Sequence, residues 1–511
     1  PIDKLALAFA RVATGQGLSA EHARAAQRLR GAIARAPFMV AGTGRFDTRV
    51  MEVLRERVCC KVGAEGVYCA ALPERGWGVA IKVDDGNNAR AAEVVMAAVI
   101  EAALQLDTEA AGLLRSLSEL TLRNWNGLEV GRLRHDDALP AFLATDHLLG
   151  KNFAILGSTG SGKSCAVTVV LRSLLERHPF AHVLMLDPHN EYATAFGEQA
   201  LRLDPSNLEL PYWLLTFEEI SVVLTSGSDG RAYGEGVILR DAILRAKQIY
   251  RGGEADQSPI TVDTPVPYRL SDLARVIEDG MGNLNKPEAA TAYRQILARL
   301  QSVREDRRYG FMFQSIYLRD NLDAILGRLL RLPVAGQPVT ILDLSGVPSE
   351  VVNVVVSLLC RLIFEFALWS ERADSPPLLL VCEEAHRYVP ADGTPVFEPT
   401  RRAIDRIAKE GRKYGVSLCL VSQRPSELSA SSLSQCGTLI TLRTSNERDQ
   451  RFVRTALPDG FDWLVSALPA LATGEAIVVG EGVSIPMQVQ FRALAPDEQP
   501  ASQTPAFTRA W

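Results

Sequence analysis

The sequence predicts an α/β protein in two parts. A large domain built on a mainly parallel sheet is preceded by a smaller α+β module. Three observations carry this. Apolar runs near 152–156, 182–187, 338–344, 377–382, 416–422 and 437–443 alternate with helical stretches, the rhythm of parallel strands joined by helical crossovers. A glycine-rich loop follows the first of these runs and opens a helix. Upstream of about residue 134 the texture changes to Ala- and Arg-rich helices and short strands punctuated by glycine.

Taken in order, residues 1–36 have helical periodicity, as in "SAEHARAAQRLRGAIARA", and "APFMVAGTGRFDTRVMEVL" reads as a loop running into a helix. "VCCKV", "GVYCAALP" and "WGVAIKV" predict short strands separated by glycine-containing turns. "NARAAEVVMAAVIEAALQL" predicts an amphipathic helix, and "LRNWNGLEVGRLR" closes the module, 1–134. The α/β rhythm then occupies 135–495, with a helical insertion at 217–335 where strand signals are few. Residues 496–511, polar and proline-rich, predict a disordered tail.

The 511 residues leave room for two or three domains. A formal net charge of -5 excludes a chain coated in positive charge but leaves room for nucleic acid in a local groove or pore. The 8 cysteines form no C-x-x-C pair, which excludes a zinc ribbon and a thioredoxin-type motif; a reducing cytoplasm is the expected compartment. The opening "PIDKLALAFARVATG" has no signal-peptide pattern. The apolar stretch "NVVVSLLCRLIFEFALW" is interrupted by Arg361 and Glu365, so a buried helix is expected there and no membrane partner.

The loop Gly157-Ser158-Thr159-Gly160-Ser161-Gly162-Lys163-Ser164 is a phosphate-binding pattern, and it points to ATP with Mg²⁺. Its glycines let backbone N–H groups curl around phosphate oxygens. Lys163 neutralises the β- and γ-phosphates, and the Ser164 hydroxyl is a Mg²⁺ ligand. The helix that follows aims its positive end at the same anion.

"PPLLLVCEEAHRYVP" ends an apolar run in Glu383 and Glu384. Two carboxylates at the end of a buried strand suit nucleotide hydrolysis: Glu383 holds the metal, directly or through water, and Glu384 is the candidate base for the attacking water. The usual first acid is Asp. In "YGVSLCLVSQRPSEL" a further strand ends in Gln423, an amide placed to sense the γ-phosphate or to cap the next loop. "VLMLDPHNEYATAF" ends in Asp187, with Glu191 following; either acid is a candidate for the Mg²⁺ shell, and Asp187 is equally suited to an Asx turn. "RRAIDRIAKEGRKYG" places Arg402, Arg406, Lys409 and Lys413 on one helical face, a solvated surface or one turned to a neighbouring subunit. In the second case Arg412 is the candidate arginine finger acting in trans. Arg304, Arg307 and Arg308 form a second basic run, suited either to DNA phosphates or to an ordinary helix end.

The stretches "LEVGRLRHDDALPAFLATDHLLGKNFAILGSTGSGKS", "LDPHNEY", "EEAHRYVP", "KEGRKYGVSLCLVSQRPSEL" and "LITLRTSNERDQRFV" together resemble the HerA-like branch of the FtsK–HerA ATPases, across roughly 128–490. The resemblance implies a RecA-like P-loop NTPase domain in a hexameric ring. It implies ATP-driven translocation on double-stranded DNA, often beside a nuclease partner. It assigns Lys163 and Ser164 to nucleotide and metal, Glu383 and Glu384 to the acidic pair, Gln423 to the sensor and Arg412 to the finger. The family's small N-terminal β-barrel has no counterpart in the sequence pattern. In its place "FARVATGQGL", "VAGTGRFDTRVM", "KVGAEGVYCAALPERGWGVAIKVDDG" and "NWNGLEVGRLR" resemble the C-terminal half of the Rhizobium-type L-asparaginase family, which implies half of a serine β-lactamase-like fold. That family's Ser-x-x-Lys and Cys-x-x-Lys motifs occur nowhere in 1–134, and Asp47 stands where a cysteine is sometimes found. The leading expectation is therefore a DNA-translocating ATPase. The alternatives are an asparaginase-family amidohydrolase fused to an ATPase, and a motor carrying a non-catalytic docking module.

Overall fold

The computed structural model describes residues 2–64, 66–83, 92–108, 110–114, 127–225, 232–252, 259–282, 290–314, 321–371, 376–391, 393–394, 396–454, 462–483 and 485–501. The chain forms two compact units, Pro1–Asn126 and Gly127–Trp511.

In the small unit, helices α1 (Ile2–Thr14), α2 (Ala20–Arg35), α3 (Phe46–Leu54) and α4 (Glu93–Ala103) surround an antiparallel sheet. Its strands are β1 (Cys59–Val62), β2 (Val67–Leu72) and β3 (Trp77–Lys82), with β2 in the middle. The Ser19 hydroxyl starts α2 by accepting the His22 N–H. Phe46, Val50, Met51, Tyr68, Met96 and Ile100 make the core. Helix α1 lies directly on β3: a Cβ at Gly78 would sit 2.0 Å from the Ala6 carbonyl oxygen and 2.2 Å from Ala10 N. Only glycine permits that approach. Asp47 is buried, and its Oδ2 accepts the Val62 N–H at 3.0 Å, tying the "GRFDT" loop to β1. Burial raises its carboxyl pKa.

Among the described residues the large unit is built on one sheet of eleven strands, in the order β5-β4-β14-β13-β12-β6-β11-β10-β7-β9-β8. These are β4 (Gly127–Leu133), β5 (Asp136–Ala144), β6 (Asn152–Leu156), β7 (His182–Asp187), β8 (Ala200–Leu203), β9 (Val339–Asp343), β10 (Leu378–Cys382), β11 (Val416–Ser422), β12 (Cys436–Leu442), β13 (Glu475–Gly480) and β14 (Met487–Phe491). The run from β12 to β8 is parallel, and β13, β14, β4 and β5 extend it antiparallel. The central strands are buried on both faces. Leu184, Leu186 and Leu380 pack to one side, Val183, Met185 and Val381 to the other, which is the two-residue period of a covered parallel sheet.

Two expected boundaries change. The large unit begins at 127 rather than 135, because β4 (Gly127–Leu133) pairs with β5 along its length and with β14 at 131–133. Residues 496–501 of the expected tail are ordered, with Glu498 paired to Arg172 at 2.6 Å and the Ala501 N–H on the Glu191 carbonyl. Residues 502–511 lie outside the described residues.

Helix α5 (Lys163–Arg177) follows β6. Between β8 and β9 stand α6 (Phe217–Leu224), α7 (Ala232–Arg251), α8 (Leu270–Gly282), α9 (Ala290–Glu305) and α10 (Leu322–Leu329), where the helical insertion was expected. Helix α11 (Ser349–Trp369) contains one segment, Val351–Trp369, apolar and long enough to span a membrane, but it is 72% buried within this unit. Its Arg361 donates to the Leu214 carbonyl at 2.6 Å and pairs with Glu219 at 3.1 Å, so the charge is met inside the fold.

Candidate active site

The C-terminal ends of the parallel strands bring the candidate residues to one edge of the sheet. Strand β6 delivers the loop 157–164, β7 Asp187, β10 Glu383 and Glu384, and β11 Gln423. The loop is held by its own backbone. A Cβ at Gly157 would meet Ser161 Oγ at 2.7 Å and Leu442 Cβ at 2.9 Å, and Gly162 opens α5 with φ +93°. Both sites therefore require glycine. Ser158 donates through N (3.0 Å) and Oγ (2.8 Å) to the Arg443 carbonyl. Arg443 in turn donates through Nη2 to the Gly160 carbonyl at 3.2 Å. On the other side the Gly474 N–H donates to the Ser161 carbonyl at 3.0 Å. Sequence reasoning missed Arg443 and Gly474. A polar run, "RTSN", after an apolar strand hinted at the first; the second acts through backbone and leaves no side-chain signal.

Lys163 and Glu383 are buried together, with Nζ 3.7 Å from Oε1. Burial pushes the Glu383 carboxyl up to about 8; Lys163 opposes the shift, while Glu384, Glu191 and Asp187 add to it. Glu384 has φ +51°, a left-handed conformation uncommon outside glycine. Its Oε1 accepts from Gln423 Nε2, and Gln423 Oε1 accepts the Thr159 hydroxyl at 2.5 Å. The amide thus bridges the phosphate loop and the candidate base. His386 Nδ1 stands 3.2 Å from Glu384 Oε2 and 3.2 Å from Ser422 Oγ. Burial lowers the imidazole pKa, against the pull of Glu384, which keeps the ring neutral near pH 7.

Ser164 Oγ donates to Glu191 Oε2 at 2.7 Å. Asp187 is committed elsewhere: Oδ1 accepts the His189 N–H (3.2 Å) and Oδ2 the Tyr192 N–H (3.0 Å), an Asx-type turn. Glu383 Oε2 is buried with no hydrogen-bond partner among the described residues, and Glu384 Oε2 has only the His386 ring nitrogen beside it. A hard cation and its water would satisfy the orphaned Glu383 oxygen, so the residues fit Mg²⁺. Among the described residues no group of three or more His, Cys, Asp or Glu has metal-cage geometry.

Arg412 is not brought to this edge. It lies before Val416, at the opposite end of β11 from Gln423, and is exposed with no ion pair among the described residues. The length of β11 puts it ~20 Å from its own phosphate loop. It lines an apolar cavity of about 590 Å³ together with Leu149, Leu174, Phe180 and Pro377. On α12 (Glu398–Glu410), Arg402 pairs with Glu218, the Arg406 guanidinium stands 4.2 Å from the Phe364 ring centroid and Lys409 is exposed; Lys413, in the 3₁₀ turn that follows, is exposed too. In the second basic run Arg308 pairs with Asp306 at 2.6 Å, and Arg304 and Arg307 are exposed.

Residues 128–363 match the family model for the central domain of helicase HerA. The DNA double-strand break repair helicase HerA of Pyrococcus furiosus is 27% identical over 407 residues, 72% of this chain and 69% of its own. The large unit is a P-loop ATPase that resembles helicase HerA. A probable helicase of Methanocaldococcus jannaschii is likewise 27% identical over 368 residues, 71% of this chain and 66% of its own length. The HerA-like unit shares its fold with VirB4 of Thermoanaerobacter pseudethanolicus, at a TM-score of 0.51 and 17% identity, covering 73% of this chain and 98% of that one. Residues 1–135 match the L-asparaginase II family model.

Proposed function

We propose that the HerA-like unit is an ATP-dependent double-stranded DNA translocase of helicase type, hydrolysing Mg-ATP at the interfaces of a homo-oligomeric, hexameric ring. The observation that supports this reading is the gathering of the nucleotide-site residues at one edge of the sheet, with Arg412 left outside it. The phosphate loop, Glu383, Glu384 and Gln423 share one edge, and Arg412 stands ~20 Å away at the other. A finger so placed serves only the nucleotide of a neighbouring copy. The names of the HerA relatives, DNA repair helicases, support the DNA substrate.

In this reading the loop amides and Lys163 bind the β- and γ-phosphates. Ser164 and Glu383 hold Mg²⁺, which when bound neutralises charge developing on the phosphates. Glu384 orients the attacking water and takes its proton. Gln423, joined to both Thr159 and Glu384, reports γ-phosphate occupancy to the base. Arg412 stabilises transition-state charge on the neighbour's γ-phosphate. The small unit serves as a non-catalytic docking module for the ring or for an effector such as a nuclease. It contains no Ser-x-x-Lys or Cys-x-x-Lys within 1–134, and its Asp47 is spent on the backbone of β1. The test is ATP turnover with and without duplex DNA, in the wild type and in Lys163→Ala.

A further inference from the structure

We propose that Glu191, rather than Glu383, is the proton acceptor that orients the Ser164 hydroxyl toward the metal, and that the strap Arg492–Ala501 holds it in place. The inference rests on the nucleotide-site reading above and adds a positioning residue to it. A P-loop serine ligates Mg²⁺ through an oxygen lone pair, so its hydrogen must point to another acceptor. The strand-end acid is the alternative acceptor, but here that acid is Glu383, whose Oε1 stands 3.7 Å from Lys163 Nζ. The Ser164 hydrogen goes to Glu191 Oε2 at 2.7 Å instead. Asp187, the other acid of this loop, has both oxygens engaged by the backbone N–H groups of His189 and Tyr192. The turn it makes presents Glu191.

The strap fixes that turn from outside. The Ala501 N–H donates to the Glu191 carbonyl at 2.7 Å, and Thr194 Oγ1 donates to the Gln499 carbonyl at 3.3 Å. Arg172, on the phosphate-loop helix α5, donates to the Ala195 carbonyl at 2.7 Å and pairs with Glu498 at 2.6 Å. Glu498 also faces Arg492 at 3.6 Å, and Arg492 pairs with Glu176 at 3.1 Å. Helix α5, the Glu191 turn and the strap are thus clamped together behind the metal serine.

The experiment titrates Mg²⁺ and Mn²⁺ against the full chain with a fluorescent ADP analogue, and repeats the titration in EDTA. Glu191→Ala is expected to weaken metal-dependent nucleotide binding ~10-fold, with metal-free ADP binding unchanged. Glu191→Gln, whose amide oxygen still accepts the hydrogen, falls between. Arg172→Ala shifts the metal requirement in the same direction by less. Unchanged metal dependence in Glu191→Ala overturns the assignment, and so does an equal loss of metal-free binding, which would mark general damage. Because Glu191→Gln keeps the side-chain shape, its titration decides the question if the alanine variant does not fold. Wild type that binds Mg-ADP but hydrolyses no ATP would sink the motor reading and leave this inference standing.

Discussion

Replacing Glu384 with Gln removes the proton acceptor and almost nothing else. The residue is 4% exposed, and its Oε1 accepts from Gln423 Nε2. A glutamine there presents an amide oxygen to the same donor. It also inherits the left-handed backbone at φ +51° at similar cost. Folding and nucleotide binding should therefore be unchanged. What disappears is general-base assistance, worth about 100- to 10,000-fold in turnover, or about 3–5 kcal/mol of barrier. The measurement is single-turnover ATP hydrolysis beside equilibrium binding of a fluorescent ATP analogue. The variant should bind ATP as the wild type does and retain it unhydrolysed. Turnover within a few-fold of wild type would refute the assignment of the base; lost binding would show that Glu384 shapes the pocket.

Three other predictions follow from the same structure. Glu383 keeps its proton in the folded, nucleotide-free protein up to about pH 8, whereas the unfolded chain loses it near 4.5, so this group lowers stability as pH rises between those values. Glu383→Gln should therefore melt higher than wild type in EDTA, by a margin that grows from pH 5 to 8; a margin that shrinks with pH would contradict the buried-acid account. Arg412→Ala should lose ~1,000-fold in turnover, and mixing it with Lys163→Ala should restore part, since each supplies what the other lacks. Full activity of Arg412→Ala alone would remove the trans finger. Gly78→Ala should cost the small unit about 3 kcal/mol or more, because the new Cβ would stand 2.0 Å from the Ala6 carbonyl oxygen; limited proteolysis should then cut selectively within 1–126.

Much of this site was legible because its chemistry is local. The loop 157–164 carries its function in consecutive residues, and Glu383, Glu384 and Gln423 each end an apolar run that could only be a buried strand. Strands β6, β7, β9, β10, β11 and β12 were readable for the same reason: they are covered on both faces and so mostly apolar. Less of the antiparallel edge was legible. Strand β5 begins "DDALP" with its first residues exposed, β14 alternates as "MQVQF", and β8 has four residues. Such strands are defined by their partners more than by their own composition. The choice between Asp187 and Glu191 was likewise closed to sequence, because it depends on which carboxylate the turn's own N–H groups consume. The strap was hidden by its composition: "PDEQPAS" reads as a tail until Arg172 and Arg492 supply partners for Glu498.

The central claim, that the HerA-like unit couples ATP hydrolysis to duplex DNA, is tested most directly by steady-state ATP turnover of the full chain with Mg²⁺, with and without double-stranded DNA, for wild type and Lys163→Ala. Wild type should hydrolyse ATP faster when duplex DNA is added, and Lys163→Ala should hydrolyse none under either condition. Equal turnover by the two proteins would contradict the nucleotide site, and wild-type turnover indifferent to DNA would contradict the motor.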